Sequence, residues 1–191
     1  MPPKTKVTKD MVTEAGLEVV RREGIESLNV RRVAAELGCS TQPVMYCFPT
    51  VEELKNEVYS AADSIHTEYI MRGAESSDTP MLTIGLNYIG FAAEEKHLFR
   101  FLFQSDKFRN TSFGDMMNGE ELGFLLAPLQ AAAGLTERQA REVFGTLFVC
   151  VHGIASLIAN NSMEYDKEEF TRLLNMTYKG TVGYIKRGEK I

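Results

Sequence analysis

Residues 30–54, with the sequence VRRVAAELGCSTQPVMYCFPTVEEL, decide the fold of the N-terminal part of this chain. Apolar residues recur there at i, i+3, i+4 and i+7, the spacing of one helix face. They are Val30, Val33, Ala34 and Leu37. Asn29 precedes this run where an N-cap is expected, and Gly38 follows it, where glycine can adopt the left-handed conformation that ends a helix. The stretch therefore opens with a short helix and a glycine turn.

A second short helix follows the turn. Ser40 can cap it, and Pro43 is tolerated in its first turn, where backbone N–H groups have no partner inside the helix. Pro49 ends the helix. Thr50 with Glu53 has the spacing of a capping box for a third, longer helix.

The second helix is expected to have one exposed and one buried face. Thr41 and Gln42 fall in its exposed first turn, whereas Val44 and Met45 are expected to point inward. Residues 8–23 form a further amphipathic helix upstream, which ends at Gly24. Three helices with a tight turn between the last two predict a helix-turn-helix, which places its final helix in the major groove of DNA.

Residues 8–58 resemble the N-terminal DNA-binding domain of the TetR family of transcriptional regulators. The resemblance rests on the order and spacing of four segments. They are AGLEVVRREGIESLNV (15–30), RRVAAELG (31–38), STQPVMYC (40–47) and FPTVEEL (48–54). The rest of the chain is similar to the family only in length and helical character.

Two positions depart from the family pattern. Many members place a tyrosine seven residues after the turn glycine, where this chain has Met45, and its tyrosine is Tyr46. Many also carry a phosphate-binding lysine where this chain has Val51. Lys55, one helical turn further on, is the cation placed to take over that contact.

The resemblance implies a DNA-binding surface on and around the second short helix. Thr41, Gln42 and Tyr46 are candidates for base edges or nearby phosphates, because glutamine can pair with adenine through two hydrogen bonds. Asn29, Arg31 and Lys55 are candidates for phosphate contacts, and Ser40 is either only a helix cap or a further DNA contact. The complete predicted DNA-binding set is Asn29, Arg31, Ser40, Thr41, Gln42, Val44, Tyr46 and Lys55.

Composition indicates a globular protein with limited attraction to DNA. Hydrophobic residues make up 44% and charged residues 25% of the 191, and the net charge is −5. Residues 1–60 hold eight Lys and Arg against nine Asp and Glu. Affinity for DNA depends on the number of phosphates that cations neutralise at the interface. Because residues 1–60 have few such cations, we expect each protomer to bind modestly and in a salt-sensitive way, which makes dimerisation important. Three scattered cysteines, no signal peptide and no run of 18 apolar residues indicate a cytoplasmic protein without a membrane partner.

An enzymatic function is not expected. The three histidines are isolated, and the sequence contains no Ser-His-Asp order, phosphate-binding loop, dinucleotide fingerprint or metal-ligand spacing. Paired acids such as Glu52–Glu53 lie at helix starts, where they favour the helix dipole. We therefore expect no catalytic residues, no metal and no cofactor.

The remaining sequence predicts an all-α chain of about nine helices, with a DNA-binding domain at residues 1–50 and a helical bundle for ligand binding and dimerisation at 51–191. No strand pattern is present. The expected helices cover residues 51–72, 80–95, 97–104, 120–133 with a kink at Pro128, 136–160 and 166–187, and residues 105–119 are expected to form a loop.

The last two helices carry broad apolar stripes. These stripes have two interpretations: they form a simple core, or they form a four-helix interface between two protomers. The resemblance favours the homodimer, whose two recognition helices would read a palindrome with half-sites about one helical turn (~34 Å) apart or a multiple of it. His152 fits either a core or interface role or a ligand contact. The expected interface residues are Phe148, Val151, His152, Ala155, Ile158, Leu173, Thr177 and Tyr184.

Aromatic residues and methionines concentrate in the middle of the chain, as in a plain core or an adaptable apolar pocket. The resemblance favours a pocket for a small-molecule effector that moves residues 51–72 and releases the DNA operator. The expected pocket residues are Asn87, Tyr88, Phe91, Phe99, Phe103, Met117 and Phe124. The alternative is a helical small-molecule or lipid carrier that has lost DNA binding, as the acidic charge and Val51 would allow.

Overall fold

The computed structural model describes residues 7–105 and 110–188, and these residues form ten α-helices and no β-strand. The helices are α1 (Lys9–Glu23), α2 (Val30–Glu36), α3 (Thr41–Cys47), α4 (Val51–Met71), α5 (Pro80–Glu94), α6 (Lys96–Phe103), α7 (Phe113–Met117), α8 (Gly123–Ala133), α9 (Glu137–Asn161) and α10 (Lys167–Arg187). Two 3₁₀ turns cover Ile25–Ser27 and Glu120–Leu122. The all-α prediction is confirmed.

The additional helix, α7, lies in the segment that we expected to be a loop. Ser112 and Asp115 form a reciprocal capping box: the Ser112 hydroxyl accepts from the Asp115 N–H at 3.1 Å, and the Asp115 carboxylate accepts from the Ser112 N–H at 3.2 Å. This box supports a helix of only five residues, too short to show an apolar period in the sequence. The loop prediction was therefore wrong for residues 113–117.

The chain divides into two compact units. Among the described residues, the first contains everything up to residue 67 together with residues 95–105, and the second contains residues 68–94 and 110–188. Helix α4 therefore begins in the first unit and ends in the second, and α6 belongs with the N-terminal helices. The predicted boundary after residue 50 separated a DNA-binding domain from a ligand-binding and dimerisation domain by function. It therefore does not coincide with this division into compact units.

Close packing of α1 against α4 forms the centre of the first unit. Val12, Val19 and Val20 of α1 are fully buried, and so is Val58 of α4. A Cβ atom added to Gly16 would lie 2.6 Å from the Val58 Cγ2 atom. The sequence uses glycine on α1 because a larger side chain would push the two helices apart.

Helix α6 is held against α1 and α4 within the same unit. The Arg21 Nε atom lies 3.0 Å from the Glu95 carboxylate at the start of α6. A Cβ atom on Gly24 would lie 3.2 Å from the His97 ring. On the α4 side, the Tyr59 hydroxyl donates to the Leu102 carbonyl oxygen at 3.3 Å. These contacts explain why α6 belongs to the N-terminal unit.

The second unit has its core among α5, α8, α9 and α10. Phe91 of α5 and Leu129 of α8 are fully buried, and Ile158 of α9 is 1% exposed. A Cβ atom on Gly85 would lie 3.1 Å from Leu174 of α10 and 3.5 Å from Val151 of α9. Glycine at this position allows three helices to approach closely.

The predicted ends of the C-terminal helices are largely confirmed. Gly134 ends α8 in the left-handed conformation, with φ of 60°. Thr136 and Gln139 form the predicted capping box of α9, and the Asp166 side chain accepts from the Glu169 N–H at the start of α10.

Helix α9 is more apolar than one buried face requires. It contains an 18-residue window with a mean hydropathy of 1.8, of which half is buried inside the protein. By length and composition this helix could cross a membrane, although the buried core helix of a bundle passes the same test. The other half of this apolar surface is not covered by the described part of the chain.

Candidate functional site

The turn between α2 and α3 orients the second helix of the candidate site. Gly38 has φ of 64°, in the left-handed region that favours glycine. The Cys39 N–H donates to the Ala34 carbonyl oxygen at 2.9 Å, and the Gly38 N–H donates to the Ala35 carbonyl oxygen at 3.1 Å. This pair of bonds is a Schellman motif. It fixes the direction in which α3 leaves the turn.

The exposed face of α3 contains the residues that the sequence predicts to contact DNA. Thr41, Gln42 and Tyr46 are all exposed, and Tyr46 is 78% exposed. Val44 and Phe48, on the opposite side, are 0% and 3% exposed. One face of α3 is thus anchored in the core and the other is open to solvent.

Two predictions about α3 side chains were wrong. Met45 is 52% exposed rather than inward, because it lies four residues after Thr41 and three after Gln42, on their side of the helix. Val44 is fully buried, which confirms its predicted inward orientation and contradicts its place in the predicted DNA-binding set. Ser40 occupies the N-cap position, but its side chain makes no capping bond. Its exposed hydroxyl is therefore not used to cap α3.

Gln42 and Tyr46 are joined to each other on the exposed face. The Gln42 Nε2 atom donates to the Tyr46 hydroxyl oxygen at 3.0 Å, across one turn of α3. This distance is ordinary for a neutral hydrogen bond. Gln42 and Tyr46 were predicted as separate contacts, without this pairing, although their i, i+4 spacing places them side by side.

Asn29 caps α2 with its whole amide group. Its Oδ1 atom accepts from the Arg31 and Arg32 N–H groups, each at 3.1 Å, and its Nδ2 atom donates to the Ser27 carbonyl oxygen at 3.1 Å. The cap position is confirmed. Because its amide is already engaged, Asn29 is a weaker candidate for a phosphate contact than its neighbour Arg31.

Several cations near α2 are neutralised by carboxylates. Arg22 lies 2.9 Å from Glu36 and 3.1 Å from Glu23, and Arg32 lies 3.3 Å from Glu23. The hydrogen bond from Arg22 lowers the pKa of the Glu36 carboxyl group. These pairs reduce the charge that Arg22 and Arg32 offer to a phosphate.

Arg31 and Lys55 are the predicted phosphate ligands that remain free of ion pairs within the described part of the chain. Arg31 is exposed and Lys55 is half-buried. Val51, at the position of the family's usual lysine, is 41% exposed at the start of α4. The local cations are therefore few, consistent with the acidic composition.

The predicted pocket residues on α5 have structural partners. The Asn87 Nδ2 atom donates to the Ile70 and Arg72 carbonyl oxygens at 3.0 and 2.9 Å, and so caps the end of α4. Tyr88 is 6% exposed, and its hydroxyl lies 2.9 Å from the His152 Nδ1 atom. Burial raises the pKa of Tyr88 and lowers the pKa of His152, which favours neutral forms of both groups.

The other predicted pocket residues are dispersed. Phe91 is fully buried against Tyr69, with ring centroids 5.4 Å apart, whereas Phe124 is 49% exposed. Phe99 and Phe103 belong to the first unit and pack on each other at 5.0 Å. Most of these aromatic side chains have a packing role that composition alone did not reveal.

An open cleft of about 650 Å³ lies between α7 and the first turns of α9. Of the predicted pocket residues it includes Met117, which is 7% exposed and packs on Gly145. Phe113 and Val149 supply further apolar surface, while Arg138 and Glu142 are polar. Its volume lies in the range of small-molecule sites.

Three of the predicted interface residues face the interior of their own protomer. Val151, Ala155 and Ile158 are 8%, 0% and 1% exposed, so they are core residues and cannot present their side chains to a partner. The prediction was wrong for these three because α9 has two apolar faces, and the sequence pattern did not show which of them is inside. The half-buried members of the set are Phe148, His152, Leu173, Thr177 and Tyr184.

The outer face of α9 has exposed apolar residues that the sequence analysis missed. Val149 and Leu157 are 59% and 47% exposed, with exposed Gly153 midway between them at four-residue spacing. On α10, Met176 is 58% exposed and Gly180 follows four residues later. We name these five residues the outer stripe. The unusual apolarity of α9 on all sides was the signal that could have identified it.

Comparison with known proteins agrees with this architecture. Residues 81–177, just over half of the 191, match the family model described as Tetracyclin repressor-like, C-terminal domain. The HTH-type transcriptional repressor DrrR1 of Streptomyces coeruleorubidus is 44% identical over 52 residues, which cover 27% of this chain and 19% of that protein. The chain therefore matches about a fifth of the length of this relative. Together with the all-helical fold, the family match shows that the chain belongs to the TetR family of transcriptional regulators.

Proposed function

We propose that this protein is a repressor that binds a palindromic DNA operator as a homodimer and is released by a small molecule. The observation that carries the proposal is the geometry of α3. One face is anchored by buried Val44, and the other presents Thr41, Gln42 and Tyr46 to solvent. A helix that enters the major groove needs both an anchored and a readable face. A partner of this kind implies a cytoplasmic location.

The charges predict that each protomer binds DNA modestly. Arg31 and Lys55 are free of ion pairs among the described residues, whereas Arg22 and Arg32 are neutralised. Each phosphate contact contributes about 0.9 to the slope of log affinity against log salt. With so few free cations per protomer, tight binding requires two protomers on one duplex.

The outer stripe supports dimerisation through α9 and α10. Val149, Leu157 and Met176 would leave apolar surface in water in an isolated protomer. Gly153 and Gly180 are exposed, and apart from the backbone of its own helix and its chain neighbours no atom lies within 4 Å of a Cβ added to either, so a partner helix can approach closely. We assign the interface to the outer stripe together with half-buried Phe148, His152, Leu173, Thr177 and Tyr184.

The second unit is the proposed site of the effector, and the cleft between α7 and α9 is its strongest candidate. Its lining combines apolar Met117 and Phe113 with polar Arg138 and Glu142, which favours a largely apolar compound with one or two polar groups. Helix α4 contributes residues to both units, and Asn87 of α5 binds its C-terminal end. A displacement of these helices is the proposed route to the DNA-binding unit.

The experiment for DNA binding is selection from a random duplex library at low and moderate salt, followed by sequencing. An enriched palindrome with half-sites about one helical turn apart, or a multiple of it, is expected. No enrichment at either salt would contradict the repressor proposal and favour a carrier that no longer reads DNA.

Release by an effector is tested by measuring how the compound and the operator change each other's affinity for the protein. A compound that raises the melting temperature of the protein should weaken binding to the selected operator, and the operator should weaken binding of the compound by the same factor. Gly114→Trp, which places a large ring in the cleft from the α7 side, should abolish binding of the compound and leave operator binding unchanged. Equal affinity of the compound with and without operator would contradict this mechanism.

A further inference from the structure

The bond between Gln42 and Tyr46 restricts what Gln42 can offer to a base. A glutamine amide has two N–H donors on Nε2 and an acceptor oxygen, Oε1. One of the two donors is used by the Tyr46 hydroxyl at 3.0 Å. One N–H group and the carbonyl oxygen remain for a base. The terminal torsion of glutamine is otherwise broad, so the bond also limits the rotation of the amide plane.

This remaining pair of groups fits adenine and not guanine. In the major groove adenine presents an acceptor, N7, beside a donor, N6, whereas guanine presents two acceptors, N7 and O6. A single N–H and a carbonyl oxygen complement adenine. Opposite guanine, the Gln42 oxygen would face a second acceptor. A glutamine with both N–H groups free could instead turn them toward guanine.

We propose that Tyr46 is a specificity-determining residue that acts through Gln42, and that its hydroxyl makes Gln42 select adenine over guanine. This inference rests on the proposed function, since it requires α3 to read base edges. Tyr46 is suited to the role because it is 78% exposed, lies one helical turn from Gln42 and uses its hydroxyl on that amide. Tyr46 is a positioning residue, and Gln42 is the residue that touches the base.

The test is library selection with four proteins: wild type, Gln42→Ala, Tyr46→Phe and the double variant. The position at which Gln42→Ala loses its preference identifies the base read by Gln42. Wild type should prefer adenine there over guanine by roughly 5- to 150-fold. Tyr46→Phe should reduce that ratio by about 2- to 13-fold, which corresponds to the loss of one neutral hydrogen bond. The selected sequences should then contain both adenine and guanine at that position.

The double variant and a matched control complete the design. In the Gln42→Ala background, Tyr46→Phe should produce no further change in base preference, because the group that it orients is absent. Tyr165→Phe removes the hydroxyl of a 40% exposed tyrosine in the second unit and should leave the adenine-to-guanine ratio unchanged. Circular dichroism confirms that each surface variant retains the helical content of wild type.

The outcomes separate this inference from the proposed function. If wild type enriches no sequence, the repressor proposal fails and this inference fails with it. If wild type enriches a palindrome but Tyr46→Phe keeps the adenine-to-guanine ratio, this inference alone is wrong. Equal loss of affinity on every duplex for Tyr46→Phe, with preference intact, would show that the hydroxyl binds the DNA backbone and would also overturn it.

Discussion

The stability of the first unit should depend on pH through His66. This residue of α4 is 7% exposed, and its ring meets Phe103 of α6 edge-on, with centroids 5.0 Å apart. Burial lowers the pKa of His66 from 6.5 to about 4. In the unfolded chain the same imidazole is solvated and titrates near its ordinary value. The unfolded state therefore binds a proton more readily than the folded state.

The size of this change in unfolding free energy follows from the difference of about 2.5 between the pKa values of His66 in the unfolded and folded states. Each unit of pKa corresponds to about 1.36 kcal/mol. Above about pH 6.5 the imidazole is neutral in both states, and the free energy of unfolding is unaffected. As the pH falls from about 6.5 to about 4, the unfolded state alone gains a proton, and stability falls by about 3 kcal/mol. That is a large part of the 5–15 kcal/mol typical of a folded domain.

The assay is urea denaturation of wild type and His66→Leu at one protein concentration, monitored by circular dichroism at several pH values between 4.5 and 7.5. Leucine keeps an apolar side chain in the site and removes the titrating group. The difference in unfolding free energy between wild type and variant should fall by about 2–3 kcal/mol from pH 7.5 to pH 4.5. NMR titration of the imidazole should place the pKa of His66 near 4. A flat difference, or titration near 6.5, would refute the burial argument.

Four further changes test the fold and the interfaces. Gly16→Val should lower the unfolding free energy by about 1–3 kcal/mol, measured by urea denaturation, because its Cβ would lie 2.6 Å from Val58; unchanged stability would contradict the close packing of α1 and α4. Leu157→Asp should weaken the dimer at least about tenfold in sedimentation equilibrium, because it places a charge in the outer stripe. Lys55→Ala should weaken binding to every duplex alike and reduce the slope of log affinity against log salt by about 2, which is about 0.9 for the contact of each protomer, and a sequence-dependent loss would show that Lys55 does not bind the backbone. Thr136→Ala should cost about 1 kcal/mol through loss of the α9 cap, which the same urea assay measures.

Much of the fold could be predicted because local chemistry marks the ends of its helices. The pairs Thr136–Gln139 and Thr50–Glu53 have the spacing of capping boxes, and both threonine hydroxyls accept the expected backbone N–H groups. Gly38 and Gly134 adopt the left-handed conformation that their positions predict. Each of these signals depends on residues three or four apart, which a sequence displays directly.

Signals that depend on distant parts of the chain were not visible in the sequence. The placement of α6 in the first unit rests on the Arg21–Glu95 pair, whose members are 74 residues apart. Similarly, hydrophobicity identified α9 as an apolar helix, but not which of its faces is covered by α5 and α10. Val151 was therefore assigned to the interface, although it is buried, and exposed Val149 was overlooked.

The candidate DNA surface was partly predictable, because part of it depends on the local spacing of residues along one helix. Helical periodicity placed Thr41 and Gln42 on the exposed side, and the structure agrees. Met45 was misassigned because a helix of seven residues has too few apolar positions to fix its buried face. The hydrogen bond of Gln42 to Tyr46 depends on side-chain rotamers, which spacing permits but does not determine.

The most direct test of the central claim, sequence-specific reading of DNA by two copies of α3, is a fluorescence anisotropy titration on three duplexes at physiological salt. One duplex carries the selected palindrome, the second has one half-site scrambled, and the third has both scrambled. We expect two protomers per palindromic duplex, weaker binding when one half-site is lost, and only salt-sensitive non-specific binding on the third. Equal affinity for all three duplexes would contradict the account.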